Sequence, residues 1–251
     1  MRSFLILLAT FATVLCTTPF SWAQAQAQQP AAPMSIYSGS FGGGFALTGG
    51  NTDTTNFNLT FNLVRDPKMK SVFKAEALYL RGSQNDVLNL HRSAAKARYE
   101  YNLTSRVFLF GEFGYLRDEF KQIDYLLAPI GGIGYKLINT DRTLLSFTGG
   151  AGGYFEKNPD VPVKKSGSLH AGEEFSHKLT PTTTLTQSIN TLWKTNDFED
   201  SLTNFRAGVT TTLYQRLELK VEFIDSYKTK TPNPTIKKND TAFLTTFLLK
   251  Y

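Results

Sequence analysis

Residues 56–63 read Asn-Phe-Asn-Leu-Thr-Phe-Asn-Leu, and residues 217–223 read Leu-Glu-Leu-Lys-Val-Glu-Phe. In both stretches every second side chain is large and apolar, and the residues between are polar or charged. A period of two gathers the apolar residues on one face of an extended strand, whereas a helix would scatter them around its circumference. The alternation recurs after residue 36 in twelve segments, at about 37–48, 54–65, 71–83, 88–101, 106–117, 125–137, 143–156, 167–178, 183–195, 201–213, 216–227 and 241–251. No amphipathic helix of three turns interrupts them, so an α/β domain has no crossovers and antiparallel hairpins remain.

The connections fall into two sets. Asp66-Pro67-Lys68-Met69, Asn102-Leu103-Thr104, residues 138–141, Leu179-Thr180-Pro181 and Tyr214-Gln215 are short. They alternate with mostly longer, more polar stretches at 118–124, 157–166, 196–200 and 229–240, although the first hairpin, 48–53, is short for its side. The pattern predicts an all-β fold: a closed antiparallel transmembrane β-barrel of about 12 strands, with short periplasmic turns and longer extracellular loops.

Parity decides which face meets lipid. Phe73, Ala75, Ala77 and Tyr79 oppose Lys74 and Glu76; Ala95, Ala97, Tyr99 and Tyr101 oppose Lys96, Arg98 and Glu100. Hydrocarbon accepts only the first face, and a charge buried in a dry core would cost several kcal/mol, so the polar parity is expected to face a wet lumen. The lumen candidates are Lys74, Glu76, Arg92, Lys96, Arg98, Glu100, Glu112, Arg206, Glu218, Lys220 and Glu222. Their signs nearly balance, which predicts little ion selectivity. A soluble sandwich would show the same alternation with the apolar face buried. The uniform strand length and a final strand running to an aromatic end favour the membrane. In that strand Phe243, Phe247, Leu249 and Tyr251 share a face and form the expected insertion signal.

Ahead of the barrel, Arg2 precedes an apolar run from Phe4 to Cys16, then Ala23 and Ala25. This is the order of a secretory signal, and the run is shorter than the roughly 20 residues of a membrane helix. The expected organisation is a signal peptide at 1–25, with cleavage after Ala27 as the alternative, a flexible segment at 26–35 and a barrel domain at 36–251. Cys16, the single cysteine, would leave with the signal, which removes thiol chemistry from the mature chain. The 27 basic and 21 acidic residues interleave without forming a basic stripe, so nucleic acid is not expected as a partner.

Three separated motifs carry a family resemblance: Gly39 to Thr54 (G-x-F-x-x-G-F-A-L-T-G-G-N-T-D-T in outline), Arg106 to Phe120 (R-x-F-L-F-G-E-F-G-Y-L-R-D-E-F), and Asp225-Ser226-Tyr227 followed by Lys238-Asn239-Asp240-Thr241. In this order they resemble the family of salt-induced outer-membrane proteins, and the likeness spans nearly all of the chain after the signal. The resemblance implies an outer-membrane barrel and a response to salt, and implies no substrate. This chain has Tyr37 where the family often has Trp, and Tyr251 where it often ends in Phe.

Sites for chemistry are sparse. His91, His170 and His177 fit no metal-ligand spacing, no Ser sits in a G-x-S-x-G turn, and neither metal nor cofactor is expected. Gly49-Gly50-Asn51 reads as a turn, and the glycines of 131–134 and 149–153 as adjustments of barrel shape. Asp118, Glu119, Asp124, Asp141, Asp160, Asp197, Glu199, Asp200 and Asp240 read as solvated turn acids. The expected function is a passive channel for small polar solutes or ions, or a role in envelope adaptation. A lipid-modifying enzyme and a structural barrel with a blocked lumen are the alternatives. Expected partners are outer-membrane lipids and lipopolysaccharide and the barrel insertion machinery, in the outer membrane of a Gram-negative bacterium.

Overall fold

The structure, a computed structural model, describes residues 36–49, 54–67, 70–84 and 87–251. The signal, the segment at 26–35 and the turn at Gly50-Asn51 lie outside the described residues. Twelve strands follow in order: β1 Tyr37–Gly49, β2 Thr54–Arg65, β3 Ser71–Gln84, β4 Val87–Asn102, β5 Val107–Asp118, β6 Ile123–Asn139, β7 Thr143–Lys157, β8 Lys164–Lys178, β9 Thr183–Lys194, β10 Asp197–Tyr214, β11 Leu217–Lys228 and β12 Asn239–Lys250. Each pairs antiparallel with its neighbours in sequence, and β1 pairs with β12, so the sheet closes and leaves no edge.

The longest connections, 158–163 and 229–238, lie at one end, here the loop end; the opposite, turn end holds connections such as 140–142 and Gln215-Arg216. Residues 197–200, read from the sequence as loop, belong to β10. The register against β9 jumps from Asp197 to Ser201, a bulge that lets the strand continue where turn-forming residue types suggested a break.

The pairing joins odd residues to odd and even to even, as in Phe45 with Phe57 and Lys74 with Arg98, except at bulges. One parity therefore faces out around the barrel. The outward row includes Phe45, Phe113, Phe147, Phe223 and Phe247, all 38–67% exposed. Moving each from water into hydrocarbon is favourable by about 2 kcal/mol, so this surface belongs in a bilayer, and a soluble sandwich with these rings inside is excluded.

Glycines set the shape of the cross-section. On β1, a Cβ at Gly44 would overlap the carbonyl oxygen of Thr245; on β7, one at Gly152 would overlap that of Pro129. Bare backbone at these inward positions lets neighbouring strands crease sharply. The two creases, at β1–β12 and β6–β7, lie half the ring apart. Side chains from the two sides between them meet across the interior: Arg206 of β10 reaches Glu76 of β3 at 3.2 Å, and Arg98 of β4 reaches Glu174 of β8 at 3.3 Å.

Candidate functional site in the barrel interior

The inward parity places a belt of charge across the middle of the barrel. Lys74 lies 2.8 Å from Glu100 and 3.7 Å from Glu174. Arg98 touches Glu100, Glu112 and Glu174 at 3.2–3.3 Å and stacks on Phe110, with its Cζ 4.1 Å from the ring centroid. Glu76 is shared by Lys96 at 2.8 Å and Arg206 at 3.2 Å, and Lys220 holds Glu222 at 2.7 Å. Each charge has an opposite within reach, which offsets the cost of removing it from bulk water.

A cavity of about 450 Å³ opens at this level. Of the residues expected in the lumen, Lys74, Glu76, Arg92, Lys96, Arg98, Glu112, Arg206, Lys220 and Glu222 line it. Glu100 is buried behind Arg98 and Lys74. Glu218 lies near the turn end, paired with Lys250 at 3.2 Å and accepting from the Thr212 hydroxyl at 3.3 Å. The lining also includes apolar Leu116, Leu126, Ala128 and Ile130. The inward parity is thus less polar than the sequence suggested: side chains such as Leu78, Leu80, Leu90, Ile224 and Leu244 form an apolar layer toward the loop end.

Beyond that layer lies a second charged group that sequence reading missed. Glu156 accepts from the Tyr154 hydroxyl at 2.7 Å and from Lys228 at 3.0 Å, with Lys194 at 3.5 Å. Lys194 also pairs with Asp200 at 2.5 Å. Glu156 and Lys228 are 1–2% exposed, as are Leu80 and Leu244 below them. Asp118 and Asp200, read as solvated turn acids, are buried as well, because both sit at inward positions at strand ends. Parity alone would have flagged Glu156, Lys194 and Lys228. Lys121 carried no such signal: it lies in the connection after β5 and reaches across to the Ser226 carbonyl at 3.0 Å and to Asp240 at 3.3 Å. Burial holds its ammonium below the usual lysine range, Arg92 adds to that depression, and Asp240 and Asp118 oppose it.

The histidines sit apart. His91 meets Glu119 at 2.9 Å, His170 packs edge-on against Phe110 and bonds Thr148, and His177 stacks on Phe175 and bonds Thr143. Among the described residues no group of three or more His, Cys, Asp or Glu side chains is arranged to hold a metal ion. The row Phe243, Phe247, Leu249 and Tyr251 faces outward, 45–61% exposed.

The sequence profile of a family described as "Protein of unknown function, DUF481" matches residues 42–251. The match takes in the second and third motifs and most of the first. The uncharacterized protein YdiY of Escherichia coli (strain K12) is 24% identical over 219 residues, covering 84% of this chain and 82% of that protein. Among solved structures, the NanC porin superposes with a TM-score of 0.57 at 7% identity, over 86% of this chain and 100% of the other. An outer-membrane channel from Pseudomonas putida F1 gives 0.52 at 13% identity, over 90% and 100%. These likenesses are of fold. Together with the outward apolar belt, they make this chain a porin-like outer-membrane barrel of the Gram-negative envelope.

Proposed function

The chain belongs to the DUF481 family, and from that premise and its own interior we propose that it is a gated passive route for small polar solutes or ions. The observation that carries this reading is the cavity of about 450 Å³ walled by half-exposed ion pairs at mid-barrel. A barrel serving only as a solid support gains nothing from a polar space there, whereas a diffusing solute exchanges its water for fixed charges of both signs. The belt is the contact region of the route. The apolar layer and the buried ion pairs toward the loop end form its closed gate, and envelope adaptation is the physiological setting that the family resemblance suggests.

That same closed layer favours a second reading, a structural barrel with a blocked lumen. Planar-bilayer recording of the refolded full chain separates the two. The route predicts infrequent steps from the native protein and several-fold more open time when Leu80→Ala and Leu244→Ala loosen the gate. Adding Lys96→Glu is expected to move the reversal potential toward cations. Silence of both the native and the loosened protein across all voltages leaves only the structural reading.

For biogenesis, the outward row Phe243, Phe247, Leu249 and Tyr251 is proposed as the segment that the insertion machinery reads. Deleting Tyr251 is expected to lower the membrane-inserted fraction without changing the melting temperature of molecules that do insert. Lipopolysaccharide is the proposed outer-leaflet neighbour.

A further inference from the structure

Most glycines of this barrel have an intramolecular reason to be there, but Gly111 and Gly149 have none. A Cβ built at either position meets no atom within 4 Å, and one at Gly131 reaches only ordinary contact. All three face outward, as do Ala151 and Ala171. Register joins them into one floor: Gly111 pairs with Gly131, Gly131 with Ala151, and Gly149 with Ala171. A glycine inside a strand weakens it, so open space at Gly111 and Gly149 is a cost that the lone barrel does not explain. Over the Gly111–Gly131 end of this floor lies an outward depression of about 610 Å³, rimmed by Phe73, Tyr99 and Phe113.

A polar pair stands beside the floor. Glu173 of β8, next but one to Ala171, is on the outward parity, and its carboxylate accepts a 2.7 Å hydrogen bond from the Gln187 amide of β9. Its cross-strand neighbours are Phe147 and Ile189, and those of Gln187 are Phe175 and Ala207, so the pair sits within the lipid-facing apolar belt. Neither side chain has another hydrogen bond among the described residues, which leaves one carboxylate oxygen and the amide oxygen without a partner. A carboxyl and an amide turned to hydrocarbon with bonding capacity unused are unfavourable, and acyl chains supply no donor.

We propose that this face is where a second copy of the chain docks, around a two-fold axis that brings the Glu173–Gln187 pair of one barrel against the same pair of the other. An isologous contact needs a surface complementary to itself, and an acceptor-rich carboxyl beside a donor-bearing amide meets that need. The recessed floor lets two barrel walls approach closely, as small residues do between membrane segments.

The test weighs the refolded full chain in lipid nanodiscs and mild detergent by native mass spectrometry, beside Gly149→Trp, Glu173→Leu and Leu59→Trp. Leu59 is outward on β2, 36% exposed, and controls for bulk on the opposite side of the ring. The native chain and Leu59→Trp are expected as dimers. Gly149→Trp is expected as a monomer with unchanged β-sheet circular dichroism, and Glu173→Leu is expected to dissociate at concentrations at least tenfold higher than the native chain does. Should Gly149→Trp not fold, Gly111→Trp takes its place. A native chain that is monomeric in both media, with lipid alone on this face, overturns the proposal, as does a dimer that survives Gly149→Trp or, where that variant does not fold, Gly111→Trp.

Discussion

Arg98 is 2% exposed and surrounded by three carboxylates, Glu100, Glu112 and Glu174, at 3.2–3.3 Å. Its Nε lies near Glu100 without hydrogen-bond geometry, so much of the attraction there is coulombic. Removing one partner of a buried charge group costs about 3–5 kcal/mol, because the remaining charges stay buried. Arg98→Met is therefore expected to lower the guanidinium unfolding midpoint strongly. Arg98→Lys keeps the charge but loses the planar fork and the stacking on Phe110, and is expected to fall between the two. Lys121 gives a pH prediction with a definite sign. Its folded pKa lies below the unfolded value, so between the two the unfolded chain binds more protons. Stability should rise as pH climbs from the folded pKa to about 10.4, the unfolded value, and this contribution should be absent at lower pH. Melting curves between pH 8 and 10.5 are expected to show that increment in the native protein and not in Lys121→Met.

At the scale of elements, the crease between β6 and β7 separates two kinds of glycine. Gly152→Val sets a side chain against the carbonyl of Pro129 and is expected to cost roughly 1–3 kcal/mol or to block refolding, the usual outcome of overpacking. Gly149→Ala, on the same strand but over open space, is expected to leave the melting temperature unchanged or raise it slightly. The strands themselves were legible in the sequence because lipid and lumen demand opposite chemistry of alternate residues, which writes a period of two into segments such as 56–63. The extension of β10 back to Asp197 was not legible, since Asn196, Asp197 and Asp200 are turn formers and the bulge that accommodates them depends on β9. The group around Glu156 was hidden for another reason. Its partner Lys228 is 72 residues away on β11, and the two meet because both point inward at the loop end of the closed ring. Which residues point inward could be read from parity; which of them touch across the lumen depends on the cross-section.

For the whole molecule, the belt couples the proposed route to ionic strength. Lys96, Glu76 and Arg206 have side chains about 30% exposed, where salt screens their pairing far more than it screens the buried Glu156 group. Conductance is therefore expected to rise faster than bulk conductivity between 0.05 and about 1 M salt, a range over which the screening length falls from more than 10 Å to about 3 Å. Conductance strictly proportional to bulk conductivity would show that these pairs do not shape the path. The two glycine creases add a mechanical consequence. Bare backbone at seams on opposite sides of the ring leaves few side chains to brace the two halves there, and the bridges from Arg206 to Glu76 and from Arg98 to Glu174 are the tethers that tie one half to the other.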